Sequence, residues 1–212
     1  MDVTDQSQLT RAMAQLAERD EALGAAYAAV GCRPWRTREG GYAGLARIIA
    51  FQQLSTKAAA TIWGRVEAQL DVVAPDGVLA ASEDELRACG LSRPKIRHLR
   101  SIAEAVETGA LDFVRVADAC DDNARTELVA VKGIGPWTAD IYLMFVLGRC
   151  DLFPHADIGL LEAYRMLTNA EEKLTPKAFL ERAEAWRPYR GVAAHLLWSY
   201  INAVRDGEVG GV

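Results

Sequence analysis

The chain has few of the residues that build metal centres and disulfide frameworks. Its 212 residues include only four cysteines and three histidines. The cysteines are widely scattered and no pair has the spacing of metal ligands, and the histidines form no ligand pattern either. We therefore expect the cysteines to be buried thiols; they are Cys32, Cys89, Cys120 and Cys150.

Long apolar runs and alternating β-branched segments are also scarce. No run reaches the roughly 18 apolar residues that a membrane span requires, although 50% of the residues are hydrophobic. The acidic start Met1–Asp5 lacks the basic and apolar pattern of an export signal. These absences predict a helical, cytoplasmic protein with no membrane partner and a substantial core.

The chain has fewer basic than acidic residues, and its formal net charge is −5. Nonspecific affinity for nucleic acids comes mainly from cations on phosphates, so this balance argues against a protein that binds DNA through a broad basic surface. The charge is uneven, however. Five cationic or titratable side chains cluster in one segment: Arg93, Lys95, Arg97, His98 and Arg100.

Helix start and stop signals recur along the chain. Ser82 and Glu85 form a capping box, Ser92 caps a helix with Pro94 in its first turn, and Thr175 precedes Pro176. Such signals predict about ten helices and no strand. Besides the two begun by Ser82 and Thr175, these helices span Gln8 to Arg19, Glu21 to Val30, Tyr42 to Gln52, Thr56 to Leu70, Arg93 to Val106, Asn123 to Val131, Pro136 to Leu147, Ile158 to Leu167 and Tyr189 to Val204.

A Gly-x-Gly turn joins two of these helices at Gly133 and Gly135, and Pro136 opens the second helix. Both glycines can adopt positive φ angles at little steric cost, and without a Cβ atom they permit close approach of another backbone. The amides of the turn and the positive end of the helix would then suit a phosphate. By itself the pattern is more typical of an ordinary tight helix–helix connection.

Further motifs accompany this turn in order. Asp157 stands 22 residues after Gly135, past the non-helical run 149–156, at the head of an amphipathic segment. Together they resemble the helix-hairpin-helix DNA glycosylase superfamily, and within it the 3-methyladenine DNA glycosylase II group. Three other stretches match the family's motifs: Gln52-Gln53-Leu54-Ser55, Gly90-Leu91-Ser92-Arg93-Pro94-Lys95, and Trp186-Arg187-Pro188-Tyr189-Arg190 followed by Trp198. The resemblance covers most of the chain except residues 1–40.

The resemblance implies an all-α fold in which two helical lobes flank a DNA-binding cleft. A single domain over 1–212 would comprise a middle lobe, 42–148, which contains the hairpin, and a terminal lobe, 1–41 plus 149–212. An N-terminal β domain is not expected in a chain of this length. Some relatives carry an iron–sulfur cluster after the catalytic helices, but no cysteine follows Cys150, so no such cofactor is expected.

The resemblance makes Asp157 the catalytic residue. Capping its helix, the carboxylate would be stabilised in its ionised form by backbone N–H groups and the helix dipole. Beside an N-glycosidic bond it would stabilise an oxocarbenium-like sugar and orient or deprotonate the attacking water. The alternative for Asp157 is a plain helix cap, which is the commoner use of Asp after a loop.

Aromatic residues would wall a pocket for an extruded purine. Trp137, Tyr142 and Trp198 are the candidates, with Trp35 and Tyr189 as further ones. A ring-alkylated purine is cationic and gains roughly 0.5–2 kcal/mol over an aromatic face. The alternative is that these are core aromatics, which is favoured for Tyr142.

DNA contacts are assigned to the hairpin and to one loop. Gln53 corresponds to the position that fills the gap left by the flipped nucleotide, with Gln52 and Ser55 ordering that loop. The hairpin residues assigned to DNA are Lys132, Gly133, Ile134, Gly135 and Thr138. The resemblance also implies a sodium or potassium ion on the backbone carbonyls of Val129, Val131 and Ile134.

Trp137 occupies the point of the hairpin where lyase relatives carry a Schiff-base lysine. The sequence therefore predicts a monofunctional, monomeric glycosylase that excises 3-methyladenine and 7-methylguanine from damaged double-stranded DNA by hydrolysis, without AP-lyase activity. The alternative from another class is a noncatalytic helix-hairpin-helix protein that binds DNA or serves as a scaffold. A helical protein unrelated to DNA is the third possibility.

Overall fold

Helices form all of the regular structure in the computed structural model, which describes residues 1–209. No strand occurs in that range, and the prediction of an all-α protein is confirmed. None of the helices between residues 1 and 209 is long and apolar enough to cross a membrane. The chain forms two compact units, which we call unit 1 and unit 2. Unit 1 contains Met1–Thr37 and the chain from Gly148 onward, and unit 2 contains Arg38–Leu147.

Unit 1 is built around its last helix. Its helices are α1 (Gln6–Arg19), α2 (Glu21–Val30), α11 (Ile158–Leu167), α12 (Pro176–Ala183) and α13 (Arg190–Arg205), with a 3-10 turn at Glu184–Trp186. Nearly every residue of α13 from Gly191 to Ile201 is buried, and α13 packs against α1, α2 and α11. A helix that is apolar on all sides is typical of the centre of a domain.

An aromatic cluster completes the core of unit 1. Phe153 and Phe179 pack edge-on with their centroids 4.9 Å apart, and Trp186 and Tyr164 surround them. The Trp186 indole N–H donates to the Asp20 carboxylate at 2.8 Å, and Asp20 also caps α2 and accepts from Arg182. The buried carboxylate is thus fully engaged, as a buried charge must be.

Unit 2 contains the remaining eight helices. They are α3 (Gly41–Phe51), α4 (Thr56–Leu70), α5 (Pro75–Ala80), α6 (Glu83–Ala88), α7 (Arg93–Glu107), α8 (Phe113–Asp118), α9 (Asp121–Val129) and α10 (Pro136–Phe145). Every residue of α10 from Thr138 to Phe145 is buried, and α10 packs against α3 and α9. Helix α3 also packs against α4 and α7, so α3 and α10 form the centre of this unit.

Most of the predicted helix starts are confirmed. Ser82 and Glu85 form both bonds of a capping box, and the Thr175 hydroxyl accepts from the Ala178 N–H at 3.2 Å. Ser92 stands at the start of α7 but forms no side-chain capping bond, so that part of the prediction is wrong. Here Pro94 in the first turn reduces the number of N–H groups that need a cap.

The prediction for the cysteines holds for one of them. Cys89 is buried, and burial raises the pKa of its thiol, but Cys32 and Cys150 are half-buried and Cys120 is exposed. Cys120 immediately precedes α9 in a short surface connection. No group of three or more His, Cys, Asp or Glu side chains within residues 1–209 is arranged to hold a metal ion.

Candidate functional site

Asp157 in unit 1 caps α11, as the sequence predicts. Its Oδ1 atom accepts the backbone N–H of Leu160 at 3.0 Å and the indole N–H of Trp198 in α13 at 3.1 Å. The carboxylate is half-buried. A plain helix cap needs only the backbone bond, so the second donor shows that the orientation of this carboxylate is fixed by tertiary structure as well.

Gly159 makes room for this pair. A Cβ atom built at Gly159 would lie 3.1 Å from the Asp157 Oδ1 and 3.8 Å from the Trp198 indole nitrogen. The first distance is shorter than most observed Cβ contacts, so a side chain here would crowd the carboxylate. Glycine in the first turn of α11 therefore allows Trp198 and Asp157 to approach each other.

The loop before Asp157 is anchored to unit 1 at several points. The Arg190 guanidinium, at the start of α13, donates to the Asp151 carbonyl at 2.8 Å and to its carboxylate at 3.1 Å. The Gly191 N–H donates to the Cys150 carbonyl at 2.8 Å, and the Asp157 N–H donates to the Pro154 carbonyl at 2.9 Å. The loop carries Phe153 into the aromatic cluster, so the position of Asp157 is set by the core.

The hairpin of unit 2 links α9 to α10 as predicted, but its two glycines differ. Gly133 has a φ of +103°, and a Cβ atom there would lie 2.7 Å from the Cβ of His98 in α7. Gly135 is the N-cap residue of α10 with a φ of −85°, and a Cβ atom there would meet nothing within 4 Å. Only Gly133 uses the positive φ that both glycines permit, because Gly135 as an N-cap residue takes an extended conformation.

Some backbone N–H groups of the hairpin are used in hydrogen bonds within the turn, and others remain for a contact with DNA. The Ile134 N–H donates to the Val131 carbonyl at 3.1 Å, so this amide is used inside the turn. Gly133 and Gly135 have no hydrogen bond on their N–H groups within residues 1–209. Thr138 is buried, and its hydroxyl accepts from Gln52, so only its backbone N–H remains for a contact with DNA. Lys132 is exposed.

Three carbonyl groups of the hairpin were assigned to a monovalent cation. The Val131 carbonyl accepts the Ile134 N–H, whereas the carbonyls of Val129 and Ile134 accept no hydrogen bond within residues 1–209. Val129 ends α9, where the helix dipole is negative. Neutral oxygen donors at a negative helix end fit a hard cation such as sodium or potassium.

The aromatic candidates occupy different environments. Trp137 and Trp198 are half-buried, so part of each ring remains on the surface of its own unit. Tyr142 is 1% exposed; its ring packs against Phe113 at 5.6 Å, and its hydroxyl accepts the Gly41 N–H at 3.0 Å. Burial raises the pKa of Tyr142 to about 12. These contacts support the core role, which the sequence analysis favoured for Tyr142.

The two further aromatic candidates belong to unit 1. Trp35 is 8% exposed and packs against His195 with a centroid separation of 4.9 Å. Tyr189 is half-buried at the N-cap of α13. Trp35 therefore also packs as a core residue.

Most of the basic cluster on α7 is already engaged within the protein. Arg93 pairs with Glu83 at 3.0 Å, Arg100 donates to the Ala81 carbonyl, and Lys95 donates to two carbonyls at the end of α3. Arg97 is exposed. The cluster therefore offers fewer cationic groups for binding DNA than the sequence indicates.

Two features of these sites had no usable signal in the sequence. The Trp198 N–H meets Asp157 across 41 residues, and Lys95 meets the Ala50 carbonyl across 45. Periodicity and capping patterns report only local spacing, so neither pair was predictable from them. Gly159 also lies inside a helical pattern. An isolated glycine there does not reveal which neighbouring group needs the space.

Comparison with known proteins gives consistent matches. A family model described as HhH-GPD superfamily base excision DNA repair protein matches residues 46–188. DNA-3-methyladenine glycosylase 1 of Schizosaccharomyces pombe is 34% identical over 161 residues, which are 74% of this chain and 71% of that protein.

Solved structures agree with these matches. The 3-methyladenine DNA glycosylase of Schizosaccharomyces pombe in complex with abasic DNA superposes with a TM-score of 0.81 at 32% identity, covering 89% of this chain and 95% of that chain. DNA-3-methyladenine glycosidase of Bacillus halodurans superposes with a TM-score of 0.78 at 33% identity, covering 96% of this chain and 93% of that chain. The similarity in sequence and in fold therefore extends over most of the chain.

Proposed function

Because the chain belongs to the HhH-GPD superfamily of base excision DNA repair proteins, we propose that it is a monofunctional DNA glycosylase for alkylated purines. The substrates are 3-methyladenine and 7-methylguanine in double-stranded DNA, and the protein acts as a monomer in the cytoplasm. Its relatives named as 3-methyladenine glycosylases support the class of damage.

The Asp157 carboxylate is the observation that carries this proposal. Two N–H donors hold it at the N-terminus of α11, where the helix dipole stabilises negative charge. A preorganised anion stabilises positive charge that develops during a reaction, because no reorganisation is needed at the transition state. The developing charge in glycosidic cleavage is the oxocarbenium-like sugar.

The reaction breaks the bond between the sugar C1′ and the purine nitrogen. The electron pair of that bond moves to the cationic, alkylated ring, which leaves as a neutral base. Water adds to C1′ and loses a proton, and Asp157 orients this water and accepts the proton. The product is an intact abasic site with both phosphodiester bonds unbroken.

Trp198 in unit 1 and Trp137 in unit 2 are the two partly exposed aromatic candidates for contact with the extruded base. A cationic purine is attracted to an electron-rich ring by roughly 0.5–2 kcal/mol, which favours alkylated over normal bases without base-specific hydrogen bonds. Trp198 then has two functions, because its ring faces the base while its N–H holds Asp157.

The hairpin anchors the duplex. The N–H groups of Gly133 and Gly135 and the exposed Lys132 bind a phosphate, and Gln53 fills the gap left by the extruded nucleotide. The carbonyls of Val129, Val131 and Ile134 would hold a sodium or potassium ion, which supplies positive charge next to that phosphate.

The end point of the reaction is hydrolysis, because Trp137 offers no amine to attack C1′. Lys132 is five residues earlier and exposed. Borohydride added during turnover should therefore trap no covalent protein–DNA adduct. A trapped adduct that is lost in Lys132→Ala would contradict the hydrolytic mechanism.

Released bases test the function directly. Methylated duplex DNA is incubated with the protein, and the free bases are identified by mass spectrometry. The proposal expects free 3-methyladenine and 7-methylguanine. Binding of the same duplex without release of any base would instead identify a noncatalytic helix-hairpin-helix protein.

A further inference from the structure

The loop after α3 is held from two sides in unit 2. Lys95, in the first turn of α7, donates through Nζ to the carbonyl oxygens of Ala50 and Gln52, both at 2.8 Å. The Gln52 side chain donates through Nε2 to the Thr138 hydroxyl in α10, also at 2.8 Å. Gln52 is therefore fixed through its backbone by one helix and through its side chain by another.

Gln53, the next residue, has an unfavourable backbone conformation. Its φ is +58°, in the left-handed region that a residue with a Cβ atom rarely occupies, and its side chain is exposed. Such conformations persist only where the surrounding structure determines them, and they concentrate at functional sites. The two bonds on Gln52 supply that determination one residue before the strained position.

The environment of Lys95 differs from that of an ordinary surface lysine. It is half-buried and forms no ion pair within residues 1–209, and burial lowers the pKa of its ammonium group. Two of its three N–H groups point to carbonyls where α3 ends, at the negative end of the helix dipole. These bonds leave Lys95 poorly suited to bind a phosphate, and they suit it to hold a loop.

We propose that Lys95 is a positioning residue that, together with the Gln52–Thr138 hydrogen bond, holds Gln53 in the left-handed conformation from which its side chain enters the duplex. The inference rests on the proposed function in one respect, since it takes Gln53 as the residue that fills the gap left by the extruded nucleotide. Lys95 acts through the loop, and it touches neither base nor sugar.

Opening of the duplex tests this role without any bond cleavage. The probe is a duplex that contains a tetrahydrofuran abasic analogue with 2-aminopurine opposite to it, and the readout is the rate of the fluorescence rise after mixing. Lys95→Met should lower this rate about tenfold, the scale of one lost hydrogen bond to a charged group. Thr138→Val, which removes the acceptor for Gln52 at nearly unchanged volume, should lower the rate in the same direction.

Four controls separate positioning from a general structural role. Lys95→Arg should restore most of the rate, because a guanidinium donates to the same carbonyls, and Lys177→Met, on the exposed start of α12, should have no effect. Affinity for undamaged duplex should stay within about twofold, since the hairpin sets that affinity. In a probe whose analogue lies in an unpaired bubble, Lys95→Met should match the wild type.

Three results would overturn the proposal. The first is a wild-type rate in folded Lys95→Met; if that variant does not fold, a wild-type rate in Thr138→Val has the same meaning. The second is an equal loss of rate in the paired and bubble probes. The third concerns Gln53→Ala, which should itself slow opening of the duplex and should leave no further loss of rate for Lys95→Met to cause. A wild-type rate in Gln53→Ala, or a further loss in the double variant, would also overturn the proposal. Absence of base release with normal opening would reject only the proposed reaction.

Discussion

At the scale of single residues, the contact between Asp157 and Trp198 determines what the site is able to do. A carboxylate that caps a helix is common, but here the indole N–H adds a second donor to the same oxygen. Gly159 leaves the space that this contact needs. The Asp157 carboxylate, the proposed catalytic group, is therefore held by side-chain packing as well as by its helix.

Trp198→Phe separates the two functions proposed for this residue. Phenylalanine keeps an aromatic face for the base but loses the N–H that holds Asp157. We expect the single-turnover excision rate to fall about tenfold or more, as for a lost hydrogen bond to a charged group, with little change in affinity for an abasic duplex. Trp137→Phe is the matched control and should keep a rate near that of the wild type. Equal rates for Trp198→Phe and the wild type would show that Trp198 contributes only its ring.

At the scale of elements, the hairpin owes its geometry to two glycines with different functions. Gly133 needs a positive φ and lies against His98 of α7, so it maintains the packing of the turn. Gly135 has an ordinary φ and open space around its Cα atom. We infer that Gly133 is needed for the hairpin to fold, whereas Gly135 leaves the space that a DNA phosphate needs to reach the hairpin.

Alanine substitutions distinguish these functions. Gly133→Ala should lower both the melting temperature and the affinity for duplex DNA, because its Cβ atom would clash with His98 and force the backbone from its left-handed region. Gly135→Ala should leave the melting temperature almost unchanged and still weaken binding of damaged and undamaged duplex alike. Thermal unfolding and fluorescence anisotropy measure the two effects. If Gly135→Ala binds duplex DNA with the affinity of the wild type, the surface around Gly135 does not contact DNA.

Helix boundaries show how far local patterns predict the elements. The predicted bounds of α2, α4 and α11 match the structure, and each of these helices begins after a residue whose side chain caps it. Helices α5 and α8 were not predicted. Each has six residues and only one buried side chain, so it leaves no period to detect.

The predicted site residues divide in the same way. Asp157 as a cap and the hairpin of Gly133 follow from local chemistry, whereas the burial of Thr138 and Tyr142 depends on contacts with distant residues. The Thr138 hydroxyl meets Gln52 across 86 positions, and the Tyr142 hydroxyl meets Gly41 across 101. Packing of this range has no periodic signature. The sequence favoured a core role for Tyr142 but did not identify its partner, and it gave no sign that Thr138 is buried.

At the scale of the whole molecule, a buried histidine that the proposed chemistry does not use should make the stability depend on pH. His195 is 1% exposed in α13, packs on Trp35, and its Nε2 lies 3.2 Å from the Arg33 carbonyl. Burial, and secondarily the charge of Arg36, lower the pKa of His195 to about 4 from 6.5. The folded protein therefore strongly favours the neutral ring.

Stability should fall as this histidine is forced to protonate. Above pH 6.5 both states are neutral and the group has no effect, but below it only the unfolded state takes up the proton. Between pH 6.5 and about pH 5, the free energy of unfolding should decrease by about 1.5 kcal/mol through this group. Urea unfolding across this range measures the slope. His195→Gln, whose amide also reaches a carbonyl, should remove most of the slope, and an unchanged slope would assign it to other groups.

The central claim is that the Asp157 carboxylate drives cleavage of the glycosidic bond. The most direct measurement is the single-turnover rate of 3-methyladenine release from duplex DNA by the wild type and by Asp157→Asn, at saturating protein. The asparagine keeps the shape and the capping oxygen but removes the charge, so the rate should fall more than a hundredfold, about 3 kcal/mol in barrier, with the fold and affinity for DNA retained. Release by Asp157→Asn at the wild-type rate would contradict the account.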